Sequence, residues 1–492
     1  MTQPPSYGYP HQPPSAPLPP VTQPPTMPSF PPPTAHPGHS GPSAPSPRSG
    51  PPAWRKPALI GLVLAVLLAA GGWALWAFTG DDASGSKEPA AAAKGPAAGR
   101  VAWMAEARTK PDKDNREALG TWFTSSLVVK AEPDMVTAYD IKTGAKKWSF
   151  LLQGPLCSAS RESEGNVAVI AAKFGSVCTH LMAVDLRSGK RIWDELLVPE
   201  KDAGDSLTPG KWAKANLELA LHDGHVYAIW GNGEQTRRLK DGKRVEEEKR
   251  DSCEMVDSAG GKDRLIAITY CGSDTIKIRS INPKKLEKSR WSRTIKRNDG
   301  FLSIISTDPL VVSQAPGNGG QDNVYDFVVL DPENGKEKAR VAYNSLWERG
   351  NCFLATSGCT GALVDKDSLY VAARGATMAY GLSNGKERWT FKADANRLTT
   401  PVSVRNGKLA AYTFATPDRP GRISYVTTSS GKAERTVDHT GTSADLKNES
   451  VMAKSEGFPR LVNDRLLLVN DGGFGDESSG MVLAISAPDD SR

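Results

Sequence analysis

Apolar and polar residues alternate in short stretches along most of the chain, and many of these stretches end in a turn that contains glycine. The pattern is clearest at residues 138–148, 183–193 and 380–389, each of which closes on a tryptophan. Alternation with a period of two predicts β-strands. Because glycine accepts positive φ without steric cost, the Thr-Gly, Ser-Gly or Asn-Gly step between two strands predicts a tight turn. Each unit is therefore predicted to be a β-hairpin.

The spacing of the tryptophans predicts how the hairpins are arranged. Trp148, Trp193, Trp291 and Trp389 are separated by 45, 98 and 98 residues, so each long gap is twice 49. A period of this length is typical of propeller blades. A lone hairpin cannot bury its faces, whereas sheets stacked around an axis can, and a large indole can fill the space between neighbours.

Weaker copies complete the count. Three of them keep the turn but lack the tryptophan, and a last copy at residues 466–486 stops before its fourth strand. Residues 100–107 supply a tryptophan-bearing strand at the other end, which would close the ring without leaving a long exposed edge. The sequence predicts an all-β propeller of eight blades, with seven as the alternative. The residues assigned a structural role in the repeat are Asp140, Gly144, Trp148, Asp185, Gly189, Trp193, Trp291, Gly335, Gly385, Trp389 and Gly431.

An uncharged apolar segment at residues 57–79 predicts a transmembrane helix. At about 1.5 Å per residue it covers a hydrocarbon core of roughly 30 Å. It begins too far from the start for a signal peptide, which favours an uncleaved single-pass anchor. Arg55 and Lys56 precede the segment and Asp81 and Asp82 follow it. The positive-inside bias then predicts a cytoplasmic N-terminus in the plasma membrane and an extracellular propeller.

The segments around the anchor differ from the repeats in composition. Residues 1–53 hold 20 of the 37 prolines and almost no aliphatic residues, so we expect a disordered cytoplasmic tail. Its proline runs favour polyproline II, a possible ligand for an aromatic-lined cytoplasmic module, but a solvated tail without a dedicated partner is the preferred interpretation. Residues 80–98 are expected to be a linker and residues 99–487 the propeller.

The net charge excludes one class of partner. The chain carries +6, of which three basic groups and no acidic ones lie in the first 56 residues. The remainder is therefore close to balance. A nucleic-acid surface needs a concentrated basic face, so none is predicted.

The strongest repeats, 138–148 and 183–193, resemble the PQQ-like β-propeller family, whose signature is Ala-x-Asp-x-x-Thr-Gly-x-x-x-Trp. The resemblance extends over residues 100 to 487 and implies the fold. The family includes quinone-dependent alcohol and glucose dehydrogenases, and also non-catalytic members such as the lipoprotein propeller subunit of the outer-membrane barrel assembly machinery. The tail, anchor and outward propeller together are similar to actinobacterial cell-surface proteins.

Catalytic residues expected of the quinone-dependent relatives are not found. Those relatives, as the resemblance implies, carry adjacent cysteines against the cofactor and a calcium site, and this sequence has no adjacent cysteines and no recognisable calcium ligands. His222 and His225 flank an Asp-Gly pair, which favours a hairpin turn over a metal site. No cofactor, metal site or enzymatic activity is predicted, and a degenerate quinone-dependent oxidoreductase is the alternative.

Six cysteines lie beyond the predicted anchor, in an oxidising compartment where an even count favours disulfides. They come as near pairs separated by 21, 18 and 7 residues. Local pairing is the simplest of the 15 connectivities. The predicted bridges are Cys157–Cys178, Cys253–Cys271 and Cys352–Cys359.

The sequence thus predicts a non-catalytic binding scaffold or sensor for an extracytoplasmic protein, peptide or envelope ligand, since function must be argued from a site and not from a fold. Residues 199–212 and 440–457 lie outside the repeat and are the candidate contact loops.

Overall fold

The computed structural model describes residues 99–106, 120–199, 207, 217–231, 233–249, 253–271, 275–296, 301–315, 324–344, 361–454, 457–463, 465–470 and 480–487. The predicted tail, anchor and linker, residues 1–53, 57–79 and 80–98, lie outside the described residues. Within the described residues, no helix combines the length and apolarity needed to cross a bilayer. The described residues belong to a compact unit that begins at Ala91.

Almost all the regular structure is β, as predicted. The strands in chain order are β1 (Val101–Glu106), β2 (Thr121–Phe123), β3 (Leu127–Ala131), β4 (Met135–Asp140), β5 (Lys146–Leu151), β6 (Leu156–Ala159), β7 (Val167–Phe174), β8 (Val177–Asp185), β9 (Arg191–Leu196), β10 (Leu217–His222), β11 (His225–Trp230), β12 (Gly233–Arg238), β13 (Arg244–Lys249), β14 (Cys253–Gly260), β15 (Leu265–Cys271), β16 (Thr275–Ile281), β17 (Trp291–Lys296), β18 (Phe301–Thr307), β19 (Leu310–Ala315), β20 (Val324–Leu330), β21 (Glu337–Asn344), β22 (Ala362–Asp365), β23 (Ser368–Arg374), β24 (Ala376–Gly381), β25 (Glu387–Lys392), β26 (Leu398–Arg405), β27 (Lys408–Thr413), β28 (Arg422–Thr427), β29 (Ala433–Asp438), β30 (Gly457–Val462), β31 (Arg465–Asn470) and β32 (Gly480–Ser486). One helix, α1 (Ser443–Lys454), lies between β29 and β30.

The strands form antiparallel four-stranded sheets in chain order, from β2–β5 onward. A short pairing of β23 with β26, at Ala373 and Thr399, joins the β22–β25 and β26–β29 groups. The last sheet takes its fourth strand from the start of the chain: β1 pairs with β32, and Met104 lies opposite Leu483. The predicted pairing of the two ends of the domain is confirmed.

The core lies in the seams between consecutive sheets. Val129 of β3 and Ile170 of β7 belong to one buried cluster, and Leu181 of β8 and Trp230 of β11 belong to the next. A further cluster joins Leu467 of the last sheet to the β2–β5 sheet. Because each sheet buries apolar side chains against both neighbours, the arrangement is that of a β-propeller.

Strand direction gives the propeller two unlike faces. In each four-stranded meander, the first-to-second and third-to-fourth connections lie at one face, which we call the cassette face. The second-to-third connections and the links to the next sheet lie at the opposite face, which we call the loop face. The third-to-fourth connections, here called the outer turns, are residues 141–145, 186–190, 239–243, 282–290, 331–336, 382–386 and 428–432.

Candidate functional site

The outer turns are built around the repeat aspartate and glycine. Asp140 Oδ1 accepts hydrogen bonds from the backbone N–H of Lys142 (3.1 Å) and Thr143 (2.9 Å), and from the Thr143 hydroxyl (2.9 Å). The Thr143 side-chain hydrogen bond is the main reason that the pKa of Asp140 is lowered. Gly144 has φ +73°, a conformation that favours glycine. The residues of the repeat therefore fix the turn locally.

Each tryptophan of the repeat packs on the turn of the following sheet. The Trp193 indole N–H donates to Leu239 O at 2.7 Å, and its ring lies 2.7 Å from where a Cβ on Gly242 would stand. The pairs that share this contact are Trp103–Gly144, Trp148–Gly189, Trp193–Gly242, Trp291–Gly335 and Trp389–Gly431. Copies that lack their own tryptophan are thus completed by the preceding sheet.

The seam between the β10–β13 and β14–β17 sheets uses a different contact. Glu246 lies opposite Thr236, the register position that holds tryptophan elsewhere, and the following outer turn, 282–290, has no glycine. A buried ion pair bridges this seam, in which Arg279 Nη2 lies 2.6 Å from Glu234 Oε2. The Tyr227 hydroxyl donates to the same carboxylate oxygen at 2.5 Å. Polar contacts therefore replace the indole at this seam, where both the tryptophan and the turn glycine are missing.

At the seam between the β18–β21 and β22–β25 sheets, the tryptophan is replaced by a small residue. Ala339 lies opposite Val329 at the equivalent register position. Gly385 then stands directly against the carbonyl of Arg340, leaving no room for a side chain. The glycine is needed here because backbone approaches backbone.

A seven-residue connection, 160–166, reaches across the cassette face near the axis. The Arg161 guanidinium donates from Nη1 to Ile304 O at 3.0 Å, in the β18–β21 sheet. Glu162 accepts the N–H of Gly260 at 2.9 Å and that of Leu221 at 3.3 Å, in two other sheets. Most first-to-second connections have only two residues, as between His222 and His225. The longer connection therefore ties its own sheet to three others.

Glu162 is an ionisable group enclosed within this loop. Burial raises its pKa to about 7, against the opposing effects of the Arg161 charge and of the backbone N–H groups that it accepts. Its side chain has an intermediate exposure. Its charge therefore changes near neutral pH. Sequence reasoning did not single out Arg161 or Glu162, and the one available signal was the unusual length of the connection.

On the loop face, α1 is held by a buried polar cluster. Glu449 of α1 accepts a hydrogen bond from the Tyr412 hydroxyl at 2.9 Å, and His439 Nδ1 lies 2.6 Å from the same oxygen. All three side chains are buried. The candidate contact segment 440–457 is thus partly a helix with an anchored inner side. Of the other candidate segment, 199–212, the structure describes Pro199 and Leu207, and Leu207 is buried.

A polar cleft of about 470 Å³ lies between the β22–β25 and β26–β29 groups on the cassette face. Arg388 and Arg405 line it together with Asp365 and Asp367. Arg388 already donates to Asp367, with Nη2 and Oδ2 2.8 Å apart. The cleft therefore presents both signs of charge, and both guanidinium groups are engaged, because Arg405 Nη2 donates to Leu461 O at 3.2 Å.

The cysteine predictions have different outcomes. Cys157 and Cys178 form a disulfide, as predicted. Cys271 is disulfide-bonded and lies opposite Cys253 in the strand register, in agreement with the predicted pair. The predicted Cys352–Cys359 bridge lies outside the described residues.

The histidine pair lies in a hairpin, as predicted. His222 and His225 face each other across the β10–β11 turn, in which Asp223 and Gly224 have φ of 50° and 71°. Such values are typical of a type I′ turn. Within the described residues, no group of three or more His, Cys, Asp or Glu side chains is placed to hold a metal ion.

Comparison with known families supports the interpretation of the repeats as similar to those of the PQQ-like family. A family model described as outer membrane protein assembly factor BamB matches residues 43–282, just under half of the chain. This match confirms the resemblance to the PQQ-like repeat family that was found in the sequence. No curated protein matches the sequence significantly.

Solved structures resemble the chain at low sequence identity. BamB from Moraxella catarrhalis is 14% identical with a TM-score of 0.44, over 78% of this chain and 100% of that one. Quinohemoprotein alcohol dehydrogenase from Comamonas testosteroni is 12% identical with a TM-score of 0.45, over 80% of this chain and 77% of that one. The computationally designed Ika8 protein is 12% identical with a TM-score of 0.47, over 79% of this chain and 99% of that one.

Proposed function

We propose that this chain is a membrane-anchored, extracytoplasmic propeller of eight blades that binds a protein, peptide or envelope ligand without catalysing a reaction. Residues 57–79 are the anchor, residues 1–53 the cytoplasmic tail and residues 99–487 the propeller. The eight-blade count is supported by the β30–β32 sheet, which takes β1 as its fourth strand and packs on the β2–β5 sheet. The match to a family described as an assembly factor supports protein binding.

The difference between the two faces carries the proposal. On the cassette face, the outer turns are mostly short and alike, and tryptophan rings pack against most of them. On the loop face, the connections differ in length and content: 175–176 has two residues, whereas 439–456 contains a helix. Disulfide Cys157–Cys178 also lies towards this face. A rigid ring that presents unlike loops at one face is suited to recognition, because binding residues concentrate on loops that a scaffold positions.

Site-specific photocrosslinking in intact cells tests this proposal. Probes at exposed loop-face positions Asp418 and Ala444 are compared with probes at exposed cassette-face positions Thr143 and Ser188. We expect discrete protein adducts from the loop-face probes and none from the cassette-face probes. Adducts from all four positions, or from the cassette face alone, would contradict binding at the loop face.

The alternative of a quinone-dependent oxidoreductase needs a separate test. The purified chain is titrated with pyrroloquinoline quinone and calcium while absorbance and dye reduction are followed. A non-catalytic scaffold gives neither a saturable absorbance change nor substrate-dependent dye reduction. Observing both would replace the proposed function with the enzymatic one.

A further inference from the structure

The two faces of the propeller carry opposite net charge. The seven outer turns contain 12 Lys and Arg residues against 4 Asp and Glu, a net charge of +8. All 12 basic side chains are exposed. The described residues of the first-to-second connections, nearer the axis, include 4 basic and 6 acidic ones. Positive charge is therefore concentrated at the outer part of the cassette face.

The loop face has the opposite sign. Among the described residues of its connections, acidic residues outnumber basic ones, although the whole chain is +6. A charge separation of this kind orients a protein in the field of a charged surface.

The basic turns are concentrated in one part of the ring. The turn at 282–290 holds Lys284, Lys285, Lys288 and Arg290 against a single glutamate. The preceding outer turn, 239–243, carries two lysines and one aspartate. Asp140 precedes one of these turns and offsets part of their positive charge, because hydrogen bonds from the turn lower its pKa and keep its carboxylate ionised.

The start of the domain lies on this same face. Gly99 donates its N–H to Ser486 O at 2.5 Å, beside the end of β32 and the beginning of β1. The described part of the domain therefore begins on the cassette face. The linker 80–98 could extend to about 60 Å, so the tether alone does not fix the orientation of the domain.

We propose that the cassette face docks on the surface of an anionic phospholipid bilayer, with the outer-turn lysines against the headgroups and the loop face turned outward. This inference rests on the proposed anchor at residues 57–79. Basic residues are attracted to an anionic leaflet when they lie within a Debye length of about 10 Å from it. Flexible, exposed lysines can come this close to the headgroups without inserting apolar side chains into the bilayer.

Lysine acetylation of the full chain in lipid nanodiscs tests the docking. Discs of phosphatidylcholine alone are compared with discs that contain phosphatidylglycerol, and mass spectrometry follows each lysine. We expect Lys284, Lys285 and Lys288 to react about three-fold more slowly on anionic discs at low salt, and the difference to vanish at about 0.5 M salt. Lys447, exposed on α1 at the loop face, should react equally on both discs.

Matched charge reversals separate this effect from net charge. The cassette-face variant Lys284→Glu/Lys285→Glu should lose most of the protection of Lys240 and Lys243, whereas the loop-face variant Arg419→Glu/Lys447→Glu should keep it. If the chain inserts into both discs and its cassette-face lysines are acetylated equally on both, the docking proposal is wrong while the proposed anchor stands. Failure to insert at all would overturn the proposed anchor with it. Protection that requires added envelope proteins would assign the face to a protein partner and overturn the lipid proposal.

Discussion

The Trp193 ring, in the β6–β9 sheet, covers Gly242, in the outer turn of the β10–β13 sheet, so that the two halves of one repeat motif meet across a seam. The Asp, Gly and Trp that define one repeat in the sequence therefore do not pack together, because the tryptophan packs on the turn of the next sheet. The tryptophan packs on a turn whose glycine follows it by 41 to 49 residues, so the motif joins neighbouring sheets.

The variant Gly335→Ala tests the contact between a tryptophan ring and the turn glycine of the next sheet. Gly335 has φ +69°, and a Cβ there would lie 2.5 Å from the Trp291 ring. We expect a loss of about 3 kcal/mol in the free energy of unfolding, from positive φ together with displacement of the indole. Gly407→Ala is the control, because Gly407 has φ +73° but open space around it, and it should lose only about 1–2 kcal/mol. Equal losses in urea denaturation would show that the indole contact contributes nothing.

Glu162→Gln should change how stability depends on pH. Burial raises the pKa of Glu162 from 4.5 to about 7, so its contribution is complete below about pH 4.5 and is lost as pH rises through about 7. The Tm of the natural chain is expected to fall between pH 5 and pH 8 by more than that of the variant. Glu164→Gln removes one charge from the same loop and should leave the natural slope. Parallel pH profiles for all three chains would refute this role of Glu162.

The ion pair of Glu234 and Arg279 should show strong coupling. Both side chains are buried, and the Tyr227 hydroxyl contributes to the same cluster. Removing one charge leaves the other buried and unpaired, so Glu234→Gln or Arg279→Met alone should cost about 3–5 kcal/mol. The double variant should cost less than the sum of the two. Additive losses in a double-mutant cycle would mean that the pair does not interact as the structure shows.

Glu449→Ala should loosen α1 without unfolding the ring. The carboxylate accepts the Tyr412 hydroxyl at 2.9 Å, and the change leaves His439 and that hydroxyl buried without it. We expect amide hydrogen exchange in residues 443–454 to accelerate at least ten-fold, while β31 and β32 keep their protection. Lys447→Ala, at an exposed position of the same helix, is the control. Unchanged exchange in the Glu449 variant would show that the cluster does not anchor the helix.

Local features of this fold could be predicted from the sequence. The turn of Asp140 and Gly144 depends on neighbours within four residues, and the hairpin of His222 and His225 on the Asp-Gly pair between them. The closing strand was also predictable, because an unmatched tryptophan strand at one end fitted the copy missing at the other. Such features follow from periodicity and turn chemistry alone.

Long-range features could not be read in the same way. Arg161 contacts Ile304, a residue 143 positions away, and Glu234 meets Arg279 across a seam. Nothing in the local pattern distinguishes these charges from ordinary surface residues. The segment at 443–454 was expected to be a contact loop because it fell outside the repeat, and its helix depends on tertiary contacts at Glu449.

The closure of the ring by β1 is the point on which both faces and their proposed roles depend. Thermal unfolding of two truncated chains, one beginning at residue 99 and one at residue 107, tests it most directly, because only the second lacks β1. A closed ring predicts a single cooperative transition for the first chain and a large loss of Tm, with exposure of β32 to hydrogen exchange, for the second. Identical Tm and identical protection of β32 in the two chains would contradict the closed ring.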